Sequence, residues 1–291
     1  MPNQLSPSEL VLNPDGSLYH CNLKPEHIAD TIFLVGDPQR VPKVSAHFDK
    51  ILFTTQKREI VTHVGIKRGQ HVAVTSTGMG TDNIDIVLNE LDAAANIDLE
   101  SRSVKPHKRV LTFIRLGTSG ALQPDIPVDS FLASSDGLGF DGLLHFYEGT
   151  ARYTQNKFID AFIAHTQWQP ALARPYWAPA DPLLLHTAKS IDMLTGITAT
   201  ATGFYGPQGR VLRLPVNDAL LNEKLSSFRY QDLRITNFEM ETSALYGLSA
   251  LMGHRALAIN CIIANRFTGQ FSKDYQRSVA EMIRIAVEFI L

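Results

Sequence analysis

Cysteine is scarce: Cys21 and Cys261 are the only two in 291 residues, too few for a disulfide framework. A reduced, cytoplasmic setting is therefore the default expectation. Long apolar runs are missing. The longest toward the C-terminus, Ala256 to Ala264, is broken by Asn260 and falls far short of the ~18 residues a membrane span needs. Residues Met1 to Leu12 lack a basic start and an apolar run, so nothing there reads as a secretory leader. Charge of one sign is missing too. There are 27 basic and 29 acidic residues, net −2, which argues against a nucleic-acid partner and a membrane surface. No His-x-x-x-His or Cys-x-x-Cys pair suggests zinc, no Gly-x-Ser-x-Gly elbow suggests a serine hydrolase, and no internal repeat or low-complexity tract is found.

What is present is ordinary globular composition, 44% hydrophobic and 19% charged. A chain of this length buries about three quarters of its unfolded surface. Short apolar runs alternate with amphipathic segments, the pattern of a sheet flanked by helices. Strands are expected at Thr31–Val35, His71–Ser76, Val110–Leu116, Ser130–Ser134, Ile197–Thr202, Leu233–Thr236 and Ala256–Ile263. Helices are expected at Asp82–Ala95, Asn156–Thr166, Pro182–Leu194, Phe238–Met252 and Ser272–Leu291. No linker divides the chain, so the expectation is a single α/β domain over 20–291 behind an N-terminal extension, 1–19. Gln167–Pro182, rich in Pro and aromatic residues, reads as a surface excursion. Ser101–Arg109, with four basic residues around Pro106, reads as a solvated loop.

Five stretches carry candidate chemistry. In Gly36-Asp37-Pro38-Gln39-Arg40, Asp37 suits a helix cap and Pro38 the first helical position. Free N–H groups and the Arg40 fork would favour an oxyanion there, the alternative being a plain turn. In Arg115-Leu116-Gly117-Thr118-Ser119-Gly120, a charge interrupts an apolar strand and needs an anion or an acid to meet. Ser76-Thr77-Gly78-Met79-Gly80 lacks the third glycine of a dinucleotide fingerprint and reads as a tight turn near a ligand. In Asn237-Phe238-Glu239-Met240-Glu241, a helix would point Glu239 and Glu241 about 200° apart, so only one would face inward. Glu241 falls on the stripe of Leu245, Leu248 and Met252. Its carboxylate suits a vicinal diol such as that of ribose, the alternative being a buried salt bridge to an arginine. In Phe204-Tyr205-Gly206-Pro207-Gln208-Gly209-Arg210, an aromatic ring, an amide and a guanidinium match the edge of a pyrimidine dione, the alternative being an exposed loop.

In this order, the runs from Gly36, Ser76, Arg115 (through Gln123-Pro124) and Glu239 resemble those of the nucleoside phosphorylase superfamily that holds the purine and uridine phosphorylases. The resemblance extends from about His20 to the C-terminus. It implies a central mixed β-sheet, partly barrel-like, flanked by helices, and a pentosyltransferase that cleaves nucleosides with inorganic phosphate as co-substrate and no organic cofactor. The Gln208-x-Arg210 loop is similar to the uracil loop of the uridine branch, whose reaction serves pyrimidine nucleoside salvage. Where the purine branch carries a Ser-Asp pair, this chain reads Ala264-Asn265-Arg266. The alternatives are a purine nucleoside phosphorylase and an inactive nucleoside-binding protein on the same fold.

By resemblance, Gly36, Arg40, Arg115 and Thr118 hold phosphate, with Arg58 lent by a neighbouring subunit. Thr118, Met240 and Glu241 hold ribose, with His20 lent across the same interface. Phe204, Gln208, Arg210 and Ile263 hold the base. Arg115, Arg210, Gln208 and Glu241 are the catalytic set. Glu59 corresponds to an acid that in some members binds potassium between subunits, where the assisting serine is Asn83 here. The partners so implied are uridine, phosphate and further copies of the chain, at least a dimer and up to a hexamer. The Ala95–Arg109 segment is longer than in compact bacterial members.

Overall fold

Strand β1 (Thr31–Val35) has no polar residue after Thr31 and is buried from Ile32 onward, which requires a neighbour on each edge and a layer on each face. The structure, a computed structural model, describes residues 4–289. A 3-10 turn at Pro38–Arg40 and helix α1 (Val41–Ser45) follow β1. The antiparallel hairpin of β2 (Lys50–Lys57) and β3 (Ile60–Lys67) feeds β4 (Gln70–Ser76), which returns parallel to β1. Helix α2 (Thr81–Asn96) turns Ile84, Val87, Leu88 and Leu91 inward, the spacing of one helical face. A short ladder of β5 (Ile97–Asp98) with β6 (Ser103–Val104) precedes β7 (Thr112–Ala121), which lies parallel on the other edge of β1.

Past β7 the sheet closes on itself. Strand β8 (Phe131–Gly139) leads through α3 (Ala151–Thr154) and α4 (Lys157–Thr166) to β9 (Tyr176–Pro179), its antiparallel neighbour. Helix α5 (Pro182–Ser190) leads to β10 (Leu194–Thr200), parallel to β8. After α6 (Leu221–Ser227) and β11 (Arg229–Tyr230), β12 (Leu233–Glu239) pairs parallel with β10. Helix α7 (Thr242–Met252) then returns the chain to β13 (Arg255–Asn265), which is parallel to β7 and antiparallel to β8. Pairing of Asn237 with Ala121 and of Phe238 with Gly120 joins β12 to β7. Strands β7, β13, β8, β10 and β12 thus make a closed mixed ring, from which β1, β4, β3 and β2 extend as open sheet. Strand β14 (Gln270–Phe271) folds back on β13, and α8 (Tyr275–Phe289) covers the sheet with Val279, Met282, Ile283, Ala286 and Val287.

The expected α/β domain with a partly barrel-like mixed sheet is what the structure shows, with local departures. The β2–β3 hairpin went unforeseen because β2 is largely exposed and its turn is Arg58-Glu59, with Arg58 at φ +52°, not the Asn-Gly that marks such turns. Strand β7 runs five residues beyond the expected Leu116, through the Gly-Thr-Ser-Gly stretch. Gln167–Pro182 is only partly a surface excursion: Tyr176 is fully buried in β9, its hydroxyl 2.8 Å from Asp141. The helix expected from Phe238 begins at Thr242, because Phe238 and Glu239 end β12. Helix α5 stops at Ser190, and the last two residues of the expected C-terminal helix, 290 and 291, lie outside the described residues, as do 1–3 of the expected N-terminal extension. Leu10 and Leu18 of that extension belong to the main core.

Helix α7 starts hard against β8. A Cβ on Gly137 would stand 2.7 Å from Ser243 Cα and 2.8 Å from its nitrogen. Gly137→Ala is expected to push helix and strand apart and cost about 1–3 kcal/mol of stability, read as a lowered urea midpoint at unchanged m-value.

Candidate active site

The ends of β1, β7 and β12 and the loops after β4 and β10 meet around a cavity of about 700 Å³. Gly36, Arg40, Arg115, Thr118, Phe204, Gln208, Arg210, Met240, Glu241 and Ile263 all line it, as does Glu59. His20 and Arg58 do not. They flank an adjoining recess of about 80 Å³ that shares Glu59 and Asn83 with the main cavity.

One end of the cavity gathers two arginines beside bare backbone. Asp37 caps the turn as expected, accepting from Gln39 N at 2.9 Å, although a single 3-10 turn opens there instead of a continuous α-helix. The Gly36 wall is bare backbone: Gly78 N donates to Gly36 O at 3.1 Å, and a Cβ on Gly36 would come within 3.3 Å of Gly78 O. Arg40 donates to the Leu116 carbonyl at 3.0 Å and makes no ion pair among the described residues. Burial, reinforced by the like charge of Arg115, holds its guanidinium below its usual pKa.

Arg115 is 4% exposed. Its Nη2 donates to Glu241 Oε2, and its Nη1 lies 3.6 Å from Glu239 Oε2 and 3.5 Å from Asn260 Oδ1. Its Nε is buried without a partner. The guanidinium leans on Gly117, where a Cβ would stand 2.0 Å from Nη1. The salt-bridge alternatives for Arg115 and for Glu241 are thus realised together, in one pair. The expectation that Glu239 and Glu241 cannot both face inward is overturned. They sit on a strand end and the turn after it, where the 100° helical step does not apply, and both are buried beside Arg115.

Glu239 accepts from Thr200 Oγ1 at 2.7 Å and from the backbone N–H of Glu241 and Thr242 at 2.9 Å each. It caps α7 from two residues upstream of the capping position, since Glu241 makes no cap bond of its own. Burial, opposed by Arg115 and reinforced by Glu241, pushes the Glu239 carboxyl up to about 7. Glu241 Oε1 accepts from Gly80 N at 3.0 Å.

The other end carries an amide between two guanidinium groups. Gln208 is 3% exposed. Its Oε1 accepts from Arg210 Nη1 at 2.6 Å and Arg266 Nη2 at 3.0 Å, while its backbone carbonyl accepts from Arg266 Nη1 at 2.9 Å. Arg210 lies over the Phe204 ring, 3.6 Å from its centroid. Burial and the charge of Arg210 bring Arg266 down to about 10. Asn265 faces away: its Nδ2 donates to the Gln123 and Ile126 carbonyls, and its Oδ1 accepts from Phe267 N and Thr268 N.

In the adjoining recess, His20 Nδ1 lies 2.6 Å from Glu90 Oε1, and Arg58 stands at the hairpin tip with Tyr19 5.9 Å away. The Asn83 amide and the Glu59 side chain fill the place that a Cβ on Gly78 would take. One carboxylate and one amide are fewer oxygens than a hard cation gathers.

The sequence model described as the phosphorylase superfamily matches residues 30–291. The chain belongs to that superfamily. It is 31% identical to the uridine phosphorylase of Thermococcus kodakarensis over 278 residues, covering 95% of this chain and 87% of the relative. It is 28% identical to a DeoD-type purine nucleoside phosphorylase of Listeria welshimeri, covering 92% and 97%. Among solved structures, a Trypanosoma brucei nucleoside phosphorylase described as showing uridine phosphorylase activity superposes with a TM-score of 0.87 at 29% identity, covering 97% of this chain and 99% of that one.

Two site residues of this superfamily member escaped sequence reasoning. Glu239 was read as turned outward on a helix, and only the two-residue spacing of a strand end could have shown otherwise. Arg266 served as a marker of the branch, and its grip on Gln208, 58 residues away, is not visible locally. Between the ordinary carboxyl range and about 7, the folded chain holds a proton on Glu239 that the unfolded chain has lost. This group's contribution to stability therefore falls as pH rises through that window. Urea midpoints of the wild type and Glu239→Gln between pH 5 and 8 check this: the wild type should lose stability relative to the variant as pH rises.

Proposed function

We propose that this protein catalyses the reversible phosphorolysis of uridine to uracil and ribose 1-phosphate, in pyrimidine nucleoside salvage. The observation that carries the reading is the base end of the cavity. There Gln208 and Arg210 present an amide and a guanidinium paired with no acid among the described residues, and Asn265 is spent on backbone groups. A purine leaving group needs a proton donor at its ring nitrogen, whereas a uracil anion needs donors at its carbonyls. The names of the T. kodakarensis and T. brucei relatives support uridine, and the purine-branch relatives define the competitor to be tested.

In the proposed reaction the C1′–N1 bond breaks with its electron pair leaving on uracil, while a phosphate oxygen forms the new bond to C1′. Uracil then takes up a proton. Arg40 and Arg115 hold phosphate at the sugar's open face, and Glu241 holds the diol and offsets the cationic sugar. The Gln208 amide hydrogens and Arg210 receive the charge developing on the base. Arg210→Ala is expected to lower kcat by ~10²-fold or more, and near-normal turnover would refute its role. Uracil release from uridine should require phosphate and should outpace base release from inosine. Preference for inosine would favour the purine reading, and binding without any release would favour an inactive nucleoside-binding protein.

His20 and Arg58 serve the site of a second copy in this reading, since on their own chain they lie beyond Glu59. Mixing inactive Arg58→Ala and Arg210→Ala chains is expected to restore part of the activity, measured as uracil release. No restoration would place each site within one chain.

A further inference from the structure

Arg115 and Glu241 each have one other task in the proposed reaction, the phosphate for one and the ribose diol for the other. In this structure they are spent on each other. Glu241 Oε2 takes the Arg115 guanidinium and the Met240 N–H at 3.2 Å, and Oε1 takes Gly80 N, so the carboxylate has one acceptor position left and cannot hold both hydroxyls of a diol. We propose that Arg115 masks Glu241 until an oxyanion draws the guanidinium away, so that a nucleoside gains its ribose anchor only in the anion-loaded site. This rests on the functional reading above.

The surroundings of Arg115 are arranged for such a transfer. Glu239 lies 3.6 Å from Nη1 and Asn260 3.5 Å, so the guanidinium keeps a carboxyl and an amide oxygen beside it after it leaves Glu241. Its Nε is buried without a partner, so the guanidinium is not held at that atom. Gly117 clears the space beside the guanidinium that any Cβ would fill. Arg40, without a carboxylate partner among the described residues, lines the same cavity and repels Arg115 while no anion lies between them. An oxyanion between the two guanidinium groups removes that repulsion and competes with Glu241 for charge-assisted hydrogen bonds.

The consequence is a coupling between anion and nucleoside that runs through the diol. Calorimetric titration of the full chain with uridine, with and without saturating sulfate, measures it, because sulfate fills the anion site without turnover. Uridine binding is expected to tighten about 10-fold or more with sulfate, whereas 2′,3′-dideoxyuridine, which lacks both hydroxyls, should respond little. Equal tightening of both nucleosides would overturn the proposal, since the coupling would then bypass Glu241; so would no tightening of uridine. Uridine that is turned over with phosphate yet shows no sulfate coupling sinks the mask alone. Uridine that neither binds nor reacts sinks the functional reading with it.

Arg115→Met supplies a second arm. Folded variant is expected to bind uridine without sulfate at least as tightly as the wild type, and sulfate should no longer matter. Weaker uridine binding by a variant that melts cooperatively would overturn the mask. If that variant does not fold, the comparison of the two nucleosides on the wild-type chain decides.

Discussion

A cation on a core strand must be answered by charge, and the answer given to Arg115 organises this molecule. An isolated buried guanidinium is costly, and a pair is stable only with good geometry and satisfied neighbours. Here two carboxylates supply it, one from the end of β12 and one from the turn before α7. Glu239 Oε2, the oxygen that faces Arg115, also takes the backbone N–H groups of Glu241 and Thr242 at the start of α7. The same carboxylate thus balances the cation, starts the helix and shapes the turn that presents Glu241. The junction coincides with closure of the strand ring, since β12 meets β7 at Phe238 and Gly120, next to these groups. Fold closure and site electrostatics are one local arrangement.

The two ends of the cavity solve opposite electrostatic problems with the same side chain. Around Arg40 and Arg115, Arg40 has no carboxylate partner among the described residues and stands beside bare Gly36 and Gly78 backbone, which suits an oxyanion. Around Gln208 two guanidinium groups fasten a neutral amide oxygen, leaving a rigid edge of donors that suits a base whose negative charge develops on departure. Donors fixed in advance in a site poor in water act most strongly on charge that forms during the reaction.

The legible part of the fold consisted of strands buried on both faces. Strands β1, β4 and β13 read directly because apolar runs of that kind have few other homes. The β2–β3 hairpin did not, because its outer strand is solvated and Arg58 adopts a backbone conformation usually left to Gly or Asn. Tyr176 hid in a Pro-rich stretch because its burial depends on Asp141 and Ser243, far away in sequence. In the site, Arg40, Arg115, Gln208, Arg210 and Glu241 were legible as charged or amide groups in apolar or glycine-rich company, and the structure gathers them at one cavity. Glu239 was not, because one misplaced helix start reverses the direction of a side chain.

Residue order alone settles which chemical groups are present: arginines at the ends of apolar strands, glycines where backbone must come close, an amide at Asn265. Those are properties of residue type and near neighbours. Which groups meet is a matter of the folded chain. Arg115 and Glu241 are 126 residues apart in sequence, and their contact depends on the pairing of β12 with β7 and on the backbone angles of one turn. Likewise His20 and Arg58 meet in the recess beside the cavity, one from the stretch before β1 and the other from the tip of the β2–β3 hairpin. Partnership among buried charges is a matter of distance and direction, and local sequence encodes neither across such separations.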